Sequence, residues 1–111
     1  IAAIVKSAEI VNGSVAIAIN PKREKDTSIV CAKAADELLT ISDITASFVL
    51  GDMGDKVCIS GRSIGDVNVQ VILEKLGGGG HITLAGAQVE GKDIEEVKGE
   101  LIGCIAEYFS G

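Results

Sequence analysis

Aromatic residues, proline and histidine are scarce in this sequence of 111 residues. It has two phenylalanines, one tyrosine, no tryptophan, one proline and one histidine. Single-stranded nucleic acids bind largely by stacking their bases on aromatic side chains, so this composition argues against such a surface. A metal centre needs several ligands, and one histidine cannot supply a multi-histidine site. The core must consist of Val, Ile, Leu and Ala, since 47% of the residues are hydrophobic and 3% aromatic.

Basic residues and long apolar runs are also lacking. Ten Lys and Arg face 16 Asp and Glu, and the net charge of −6 disfavours sequence-independent binding of duplex nucleic acid, although a local basic pocket stays possible. No apolar run reaches the roughly 18–20 residues that cross a bilayer. The initial IAAIV lacks the basic flank of a signal peptide. We expect one cytoplasmic domain over residues 1–111, without direct membrane contact, although its parent can carry a membrane anchor. A start at Ile1 suggests a processed product or a piece of a longer protein.

Cysteine is present but not in a pattern that indicates a zinc site or a disulfide framework. Cys31, Cys58 and Cys104 are odd in number, and no Cys-x-x-Cys pair occurs. We therefore expect three reduced cysteines buried in the core of a cytoplasmic protein.

Hydrophobic periodicity predicts the element order ββ-α-ββ-α-β-α. This order indicates an α+β (α/β-like) fold in which helices cover a mixed sheet of about five strands. Asn68 and the D-x-x-E sequence at Asp93 are typical helix starts. The predicted elements are two strands around Asn12-Gly13, a helix over 26–39, a hairpin over 46–60, a helix after Asn68, a strand over 85–90 and a C-terminal helix after Asp93. A helical turn over 81–85 is an equally good interpretation of that segment.

Two glycines interrupt the C-terminal helix. Gly99 and Gly103 each cost about 1 kcal/mol relative to alanine in a helix interior. Close packing of this helix against the sheet would compensate, and we predict such packing.

Four consecutive glycines, Gly77–Gly80, precede the only histidine, His81. Ordering such a backbone costs roughly 1–2 kcal/mol per residue and more for glycine than for other residues, so we expect something to approach it closely. Successive N–H groups can form a nest for an anion, and a flat base can lie against bare backbone. The run matches neither a P-loop nor a dinucleotide fingerprint. An extended helix C-cap explains the glycines equally well.

Arg62 strengthens the interpretation as a ligand site. It stands in ISGRSIGD at the end of a predicted strand, between two serines and just before the helix that leads to the glycines. A guanidinium suits bidentate recognition of phosphate, and His81 can donate a hydrogen bond in either protonation state. Each residue alone is more often an ordinary surface residue. Together they predict a phosphate site.

The segment SGRSIGDVNVQVILEKLGGGGHITLAGAQVEG, residues 60–91, resembles the C-terminal, DHH-associated domain of DHH-family phosphoesterases. The pattern is Ser-x-Arg-Ser, then an Asn-Val-Gln-Val-Ile helix, then Gly-Gly-Gly-His with a nearby Ala-Gly. AADELLTISDITASFVL, residues 34–50, extends the resemblance. Within this family the sequence is most similar to the cyclic di-AMP phosphodiesterases of Gram-positive bacteria.

The resemblance implies substrate capture by this domain and hydrolysis by another. In such enzymes a preceding DHH domain holds two manganese ions, and the DHH-associated domain binds the nucleotide. This chain has no DHH motif, so we expect no cofactor in this domain and no activity by itself. The implied partners are an adenine dinucleotide or a short oligoribonucleotide and the DHH domain of the same parent. The sequence leaves the oligomeric state open, with a homodimer as one possibility. The implied binding residues are Arg62, Gly78, Gly79, Gly80 and His81, with Ser60 and Ser63 as weaker candidates.

Two other functions remain open at this point. The same domain type occurs as an RNA-binding module appended to alanyl-tRNA synthetases. A purely structural or dimerisation domain, with the glycines serving only as a cap, is the third possibility. The sequence upstream of Ile1 would distinguish the three.

Overall fold

A six-stranded mixed sheet forms the middle layer of the chain. The computed structural model describes all residues from 1 to 111. Four helices flank the sheet, none of which combines the length and apolar character that a membrane crossing requires. The elements in chain order are α1 Ala2–Lys6, β1 Glu9–Val11, β2 Val15–Asn20, α2 Thr27–Leu38, β3 Ala46–Asp52, β4 Lys56–Ser63, α3 Val69–Glu74, β5 Gly79–Gly80, β6 Leu84–Glu90 and α4 Ile94–Ser110.

The strand order in the sheet is β1-β2-β3-β4-β6-β5. Only β2 and β3 pair in parallel, with Val15 opposite Ala46, and α2 is the crossover that a parallel pair requires. The other pairs are antiparallel. Both predicted hairpins, around Asn12-Gly13 and around 52–55, are confirmed.

The two faces of the sheet are covered unequally. On one face α3 and α4 pack against the larger core cluster, which includes Phe48, Ile72 and Leu101. On the other face α1 and α2 cover a smaller cluster, and α2 lies over β2, β3 and β4. At β6 this second face carries Leu84 and Gln88, whose side chains are exposed. The half of this face formed by β6 and β5 is therefore open.

The predicted α+β class, the helices and the caps are confirmed, and the sheet has one strand more than predicted. Asn68 Oδ1 accepts a hydrogen bond from the Val71 N–H at 3.1 Å, and Asp93 Oδ1 accepts one from the Glu96 N–H at 2.9 Å. The alternative of a helical turn over 81–85 is wrong, because β6 begins at Leu84. Helix α1 and strand β5 were not predicted, since five residues and two glycines carry no readable periodicity.

The prediction that Gly99 and Gly103 pack closely against the sheet is wrong. Both are exposed, and a Cβ built on either would meet no atom within 4 Å. The buried residues of α4 are Val97, Leu101 and Ile105. The two glycines are two residues away from these positions, so at 3.6 residues per turn they lie on the opposite, solvent-facing side.

The three cysteines are free, as predicted, but they are not equally buried. Cys31 and Cys58 are buried in the sheet face under α2, whereas Cys104 on α4 is only half-buried. The prediction that all three cysteines are buried in the core is therefore wrong for Cys104.

Candidate functional site

A groove of about 610 Å³ runs over the open half of the sheet, beside α2. Strand pairing explains its composition: Cys58 lies opposite Gln88, Ser60 opposite Gly86, and Gly86 opposite Gly79. Paired residues point to the same face of a sheet, so these side chains and bare backbones form one continuous floor. The lining residues are Ser28, Cys58, Ile59, Ser60, Gly77, Gly78, Gly79, Gly86, Ala87 and Gln88.

The first two glycines of the run end helix α3. Gly77 has a φ of +84° and its N–H donates to Glu74 O at 3.1 Å. The Gly78 N–H donates to Leu73 O at 2.9 Å. These two bonds around a left-handed residue form a Schellman C-cap, so the cap interpretation is correct for this part of the run.

The next glycines differ in what surrounds them. A Cβ on Gly78 would lie 2.2 Å from Gly86 O, and one on Gly80 would lie 2.5 Å from Leu84 O. Gly80 also has a φ of +146°. At Gly79 a Cβ would meet nothing within 4 Å, and its φ is not positive. Gly79 is thus the one glycine of the run that neither its backbone conformation nor its surroundings require to be glycine.

Most N–H groups of the segment from Gly77 to His81 are not available to form the predicted anion nest. The N–H groups of Gly77, Gly78 and His81 donate to Glu74, Leu73 and Leu84 carbonyls within the protein. At least three of the five N–H groups from Gly77 to His81 are therefore occupied. Any ligand must be held mainly by side chains and by packing on the bare backbone.

Arg62 and His81 lie on one face of the sheet, on either side of Leu84. Arg62 pairs with Leu84 between β4 and β6, and His81 exchanges backbone hydrogen bonds with Leu84 at 2.7 and 3.3 Å. Adjacent strands are about 4.8 Å apart, so the two backbones are separated by roughly 10 Å. The His81 side chain is exposed.

Arg62 is held in place by Asp36, a residue that sequence reasoning missed. Arg62 Nε donates to Asp36 Oδ1 at 2.9 Å, and Nη1 donates to Gly61 O at 3.0 Å. The Arg62 side chain is only 13% exposed, whereas that of Asp36 is 64% exposed. In the sequence Asp36 resembles the other carboxylates on polar helix faces, so no signal distinguishes it. Two of the five N–H donors of the guanidinium are occupied by these bonds, which leaves donors for a ligand.

The two serines next to Arg62 point to opposite faces of β4. Ser60 lines the groove. Ser63 is an odd number of residues away, and its Oγ accepts a hydrogen bond from the Gly65 N–H at 3.0 Å, which stabilises the turn after β4. The structure therefore brings Ser60 to the groove and does not bring Ser63 there.

A pair of thiols lies at the α2 side of the groove. A Cβ on Gly51 would lie 2.7 Å from Cys31 Sγ and 3.2 Å from Cys58 Sγ, so both sulfurs point to the same spot. The hydrogen bond from Cys31 lowers the pKa of Cys58 to about 7. The same hydrogen bond is the larger cause, and burial the smaller one, of the raised pKa of Cys31.

The fold and the groove define a class of small α+β domains in which a glycine-rich strand borders an open polar groove beside an anchored arginine. The chain belongs to the DHHA1 domain family, whose model matches residues 9–107.

Curated relatives cover this chain almost completely. It is 45% identical over 111 residues to a cyclic-di-AMP phosphodiesterase, GdpP, of Geobacillus thermodenitrificans, covering 99% of this chain and 17% of that protein. It is 42% identical over 109 residues to the cyclic-di-AMP phosphodiesterase PdeA of Listeria monocytogenes, covering 97% of this chain and 17% of the relative. The chain thus spans about one sixth of the length of these relatives.

Solved structures share the fold at low identity. An exopolyphosphatase-related protein from Bacteroides fragilis has a TM-score of 0.79 at 19% identity, over 96% of this chain and 33% of that one. The pGpG-specific phosphodiesterase PggH from Vibrio has a TM-score of 0.65 at 15% identity, over 95% and 37%. The C-Ala domain of Aquifex aeolicus alanyl-tRNA synthetase has a TM-score of 0.67 at 21% identity, over 87% and 96%.

Proposed function

We propose that this chain is the substrate-binding domain of a phosphodiesterase that hydrolyses cyclic di-AMP or short oligoribonucleotides, and that Arg62 and His81 bind a phosphate of the substrate. The position of these two residues on one sheet face, beside a polar groove, carries this proposal. The names of the relatives, cyclic-di-AMP phosphodiesterases at 42–45% identity, support the substrate class.

The chemistry of phosphate binding follows from the state of each side chain. Arg62 is mostly shielded from water and oriented by Asp36, so little rotamer entropy is lost when it binds. Its remaining N–H groups can form charge-assisted hydrogen bonds to phosphate oxygens. His81 adds a donor from the adjacent edge of the sheet. Ser60 is a further hydroxyl donor on the groove floor.

Hydrolysis requires a part of the parent that this chain does not contain. No three His, Cys, Asp or Glu side chains are grouped so as to hold a metal ion, so the residues present do not fit a manganese site. We propose that a DHH domain of the same parent holds two manganese ions, which in such sites activate water and stabilise the charge on phosphate. A cytoplasmic location and a homodimer stay predictions.

The test is to introduce Arg62→Ala and His81→Ala into the parent enzyme. Each substitution removes a charge-assisted hydrogen bond worth about 1.5–3 kcal/mol, so kcat/KM should fall roughly ten- to a hundredfold with little change in Tm. Arg62→Lys keeps the positive charge but loses the planar pair of donors of the guanidinium. Its kcat/KM should therefore lie between those of the unaltered parent and Arg62→Ala. Arg23→Ala is the matched control, because Arg23, the only other arginine, pairs with Asp52 near the hairpin turn. Intact turnover in both variants, with losses confined to Tm, would refute the site.

An appended RNA-binding module is the alternative. The likeness to the C-Ala domain, at 21% identity, is a likeness of fold. None of the residues that line the groove is aromatic, and single-strand binding relies on stacking. A parent that bound RNA tightly, and hydrolysed no dinucleotide, would favour this alternative.

A further inference from the structure

We propose that the glycine-lined end of the groove is a subsite for a purine base, in which the side-chain amide of Gln88 recognises the edge of adenine. The inference rests on the proposed function, because it assigns the base of the nucleotide whose phosphate meets Arg62 and His81.

Polar side chains converge on this end of the groove without partners in the protein. Ser28, Ser60 and Gln88 line it, and none of the three takes part in the side-chain hydrogen bonds of the chain. The only other glutamine, Gln70, lies on α3 and is within 3.4 Å of Glu74. The donors and acceptors of Gln88 are therefore available to a ligand.

The floor between these side chains is flat enough for a ring. Gly79 lies opposite Gly86, and neither residue has a side chain above the sheet plane. A Cβ on Gly79 would enter open space, and one on Gly86 would be in contact only with Ile59 O at 3.3 Å. A planar base can lie directly on this bare backbone, as ligands do where glycine permits close approach.

The spacing along the strands fits one nucleotide. Ser60 and its partner Gly86 are two residues from Arg62 and Leu84 on their strands, a distance of about 7 Å. That distance is comparable to the separation of base and phosphate within a nucleotide. A phosphate at Arg62 therefore leaves the base over the glycines, with Gln88 two residues further along β6.

The amide of Gln88 favours adenine over guanine on this edge. It has both a donor and an acceptor, which match adenine N7 and N6–H₂ in a bidentate pair. Guanine presents two acceptors, O6 and N7, on the same edge, so only one of the two bonds can form. The predicted preference for adenine over guanine thus comes from the Gln88 side chain and not from the glycines beneath the base.

The experiment compares two inhibitors of the parent enzyme, AMP and ribose 5-phosphate, which differ only in the base. AMP should inhibit more strongly than ribose 5-phosphate. Gln88→Leu should reduce this advantage about 5- to 100-fold and leave inhibition by ribose 5-phosphate unchanged, since one bidentate contact is lost. The advantage of AMP over GMP should shrink in parallel. Gln70→Leu is the matched control. It should change neither the advantage of AMP over ribose 5-phosphate nor the advantage of AMP over GMP.

Three outcomes would overturn the subsite: equal inhibition by AMP and ribose 5-phosphate in the unaltered parent, an unchanged AMP advantage in Gln88→Leu, or an equal loss of both inhibitors. The proposed function fails separately, through full activity of Arg62→Ala and His81→Ala. A parent that needs Arg62 and His81 but ignores Gln88 would refute the base subsite alone.

Discussion

At the level of single residues, the four glycines of Gly77–Gly80 have different reasons to be glycine. Gly77 needs a left-handed backbone, and Gly80 needs both a positive φ and room next to Leu84. Gly78 needs room next to the Gly86 carbonyl. Gly79 has none of these constraints, so neither its backbone conformation nor its packing requires glycine there. The structural reason for glycine therefore differs from one position of the run to the next.

Alanine substitutions at Gly78 and Gly79 in the parent test this assignment. Gly78→Ala should destabilise the domain by about 1–3 kcal/mol, because the new Cβ meets backbone. Gly79→Ala should leave stability unchanged or raise it by about 0.4–1 kcal/mol, and should still weaken substrate binding by filling the groove. Thermal unfolding and KM measurements report the two effects. Unaltered KM in Gly79→Ala would mean that the ligand does not touch this backbone.

At the level of secondary structure, α4 contains two glycines that destabilise it and that its packing does not require. Its buried stripe of Val97, Leu101 and Ile105 attaches it to the sheet. Gly99 and Gly103 face solvent and contribute only flexibility to the unfolded chain. Helix α4 is therefore less stable than a helix of the same length with alanine at these two positions.

Gly99→Ala and Gly103→Ala should each stabilise the domain by about 0.5–1 kcal/mol, because alanine lowers the entropy of the unfolded chain and fits the open space. The reverse substitution Ala106→Gly, on the same exposed side of α4, should destabilise by a similar amount. Denaturant unfolding of the three variants measures both. A loss of stability in either glycine variant would indicate that another surface approaches α4 closely.

At the level of the whole molecule, uneven coverage of the sheet by helices creates the groove. Helices α3 and α4 close one face, and α2 closes only half of the other. The uncovered part contains the groove, and Arg62 lies two residues beyond the groove residue Ser60 on β4. Such an open face suits a domain that binds one side of a substrate while another domain holds the other side.

The chain alone should therefore lack phosphodiesterase activity when manganese and cyclic or linear adenine dinucleotides are added. The reason is that two-metal hydrolysis needs a cluster of ligands that these residues do not form. The measurement is the release of AMP or pApA, detected by chromatography. The full parent is the positive control. Turnover by the purified chain that is lost in Gly79→Ala would contradict this division of labour.

Local sequence determined the regular elements of this protein. The caps at Asn68 and Asp93, the turn at Asn12-Gly13 and the periodicity of α2 and α4 involve residues close together in the chain, so each could be predicted correctly. The Ser-x-Arg-Ser and Gly-Gly-Gly-His segments are local motifs as well, and the site that they predict stays a prediction.

Only the tertiary structure decided how these parts meet. The pairing of Ser60 with Gly86 and of Gly86 with Gly79 creates the groove, and the contact of Asp36 with Arg62 joins residues 26 positions apart. Such contacts depend on strand register and helix placement, which no local pattern encodes. The same reason explains why the orientation of Ser60 toward the groove, the solvent-facing position of Gly99 and the open space next to Gly79 became visible only in the folded chain.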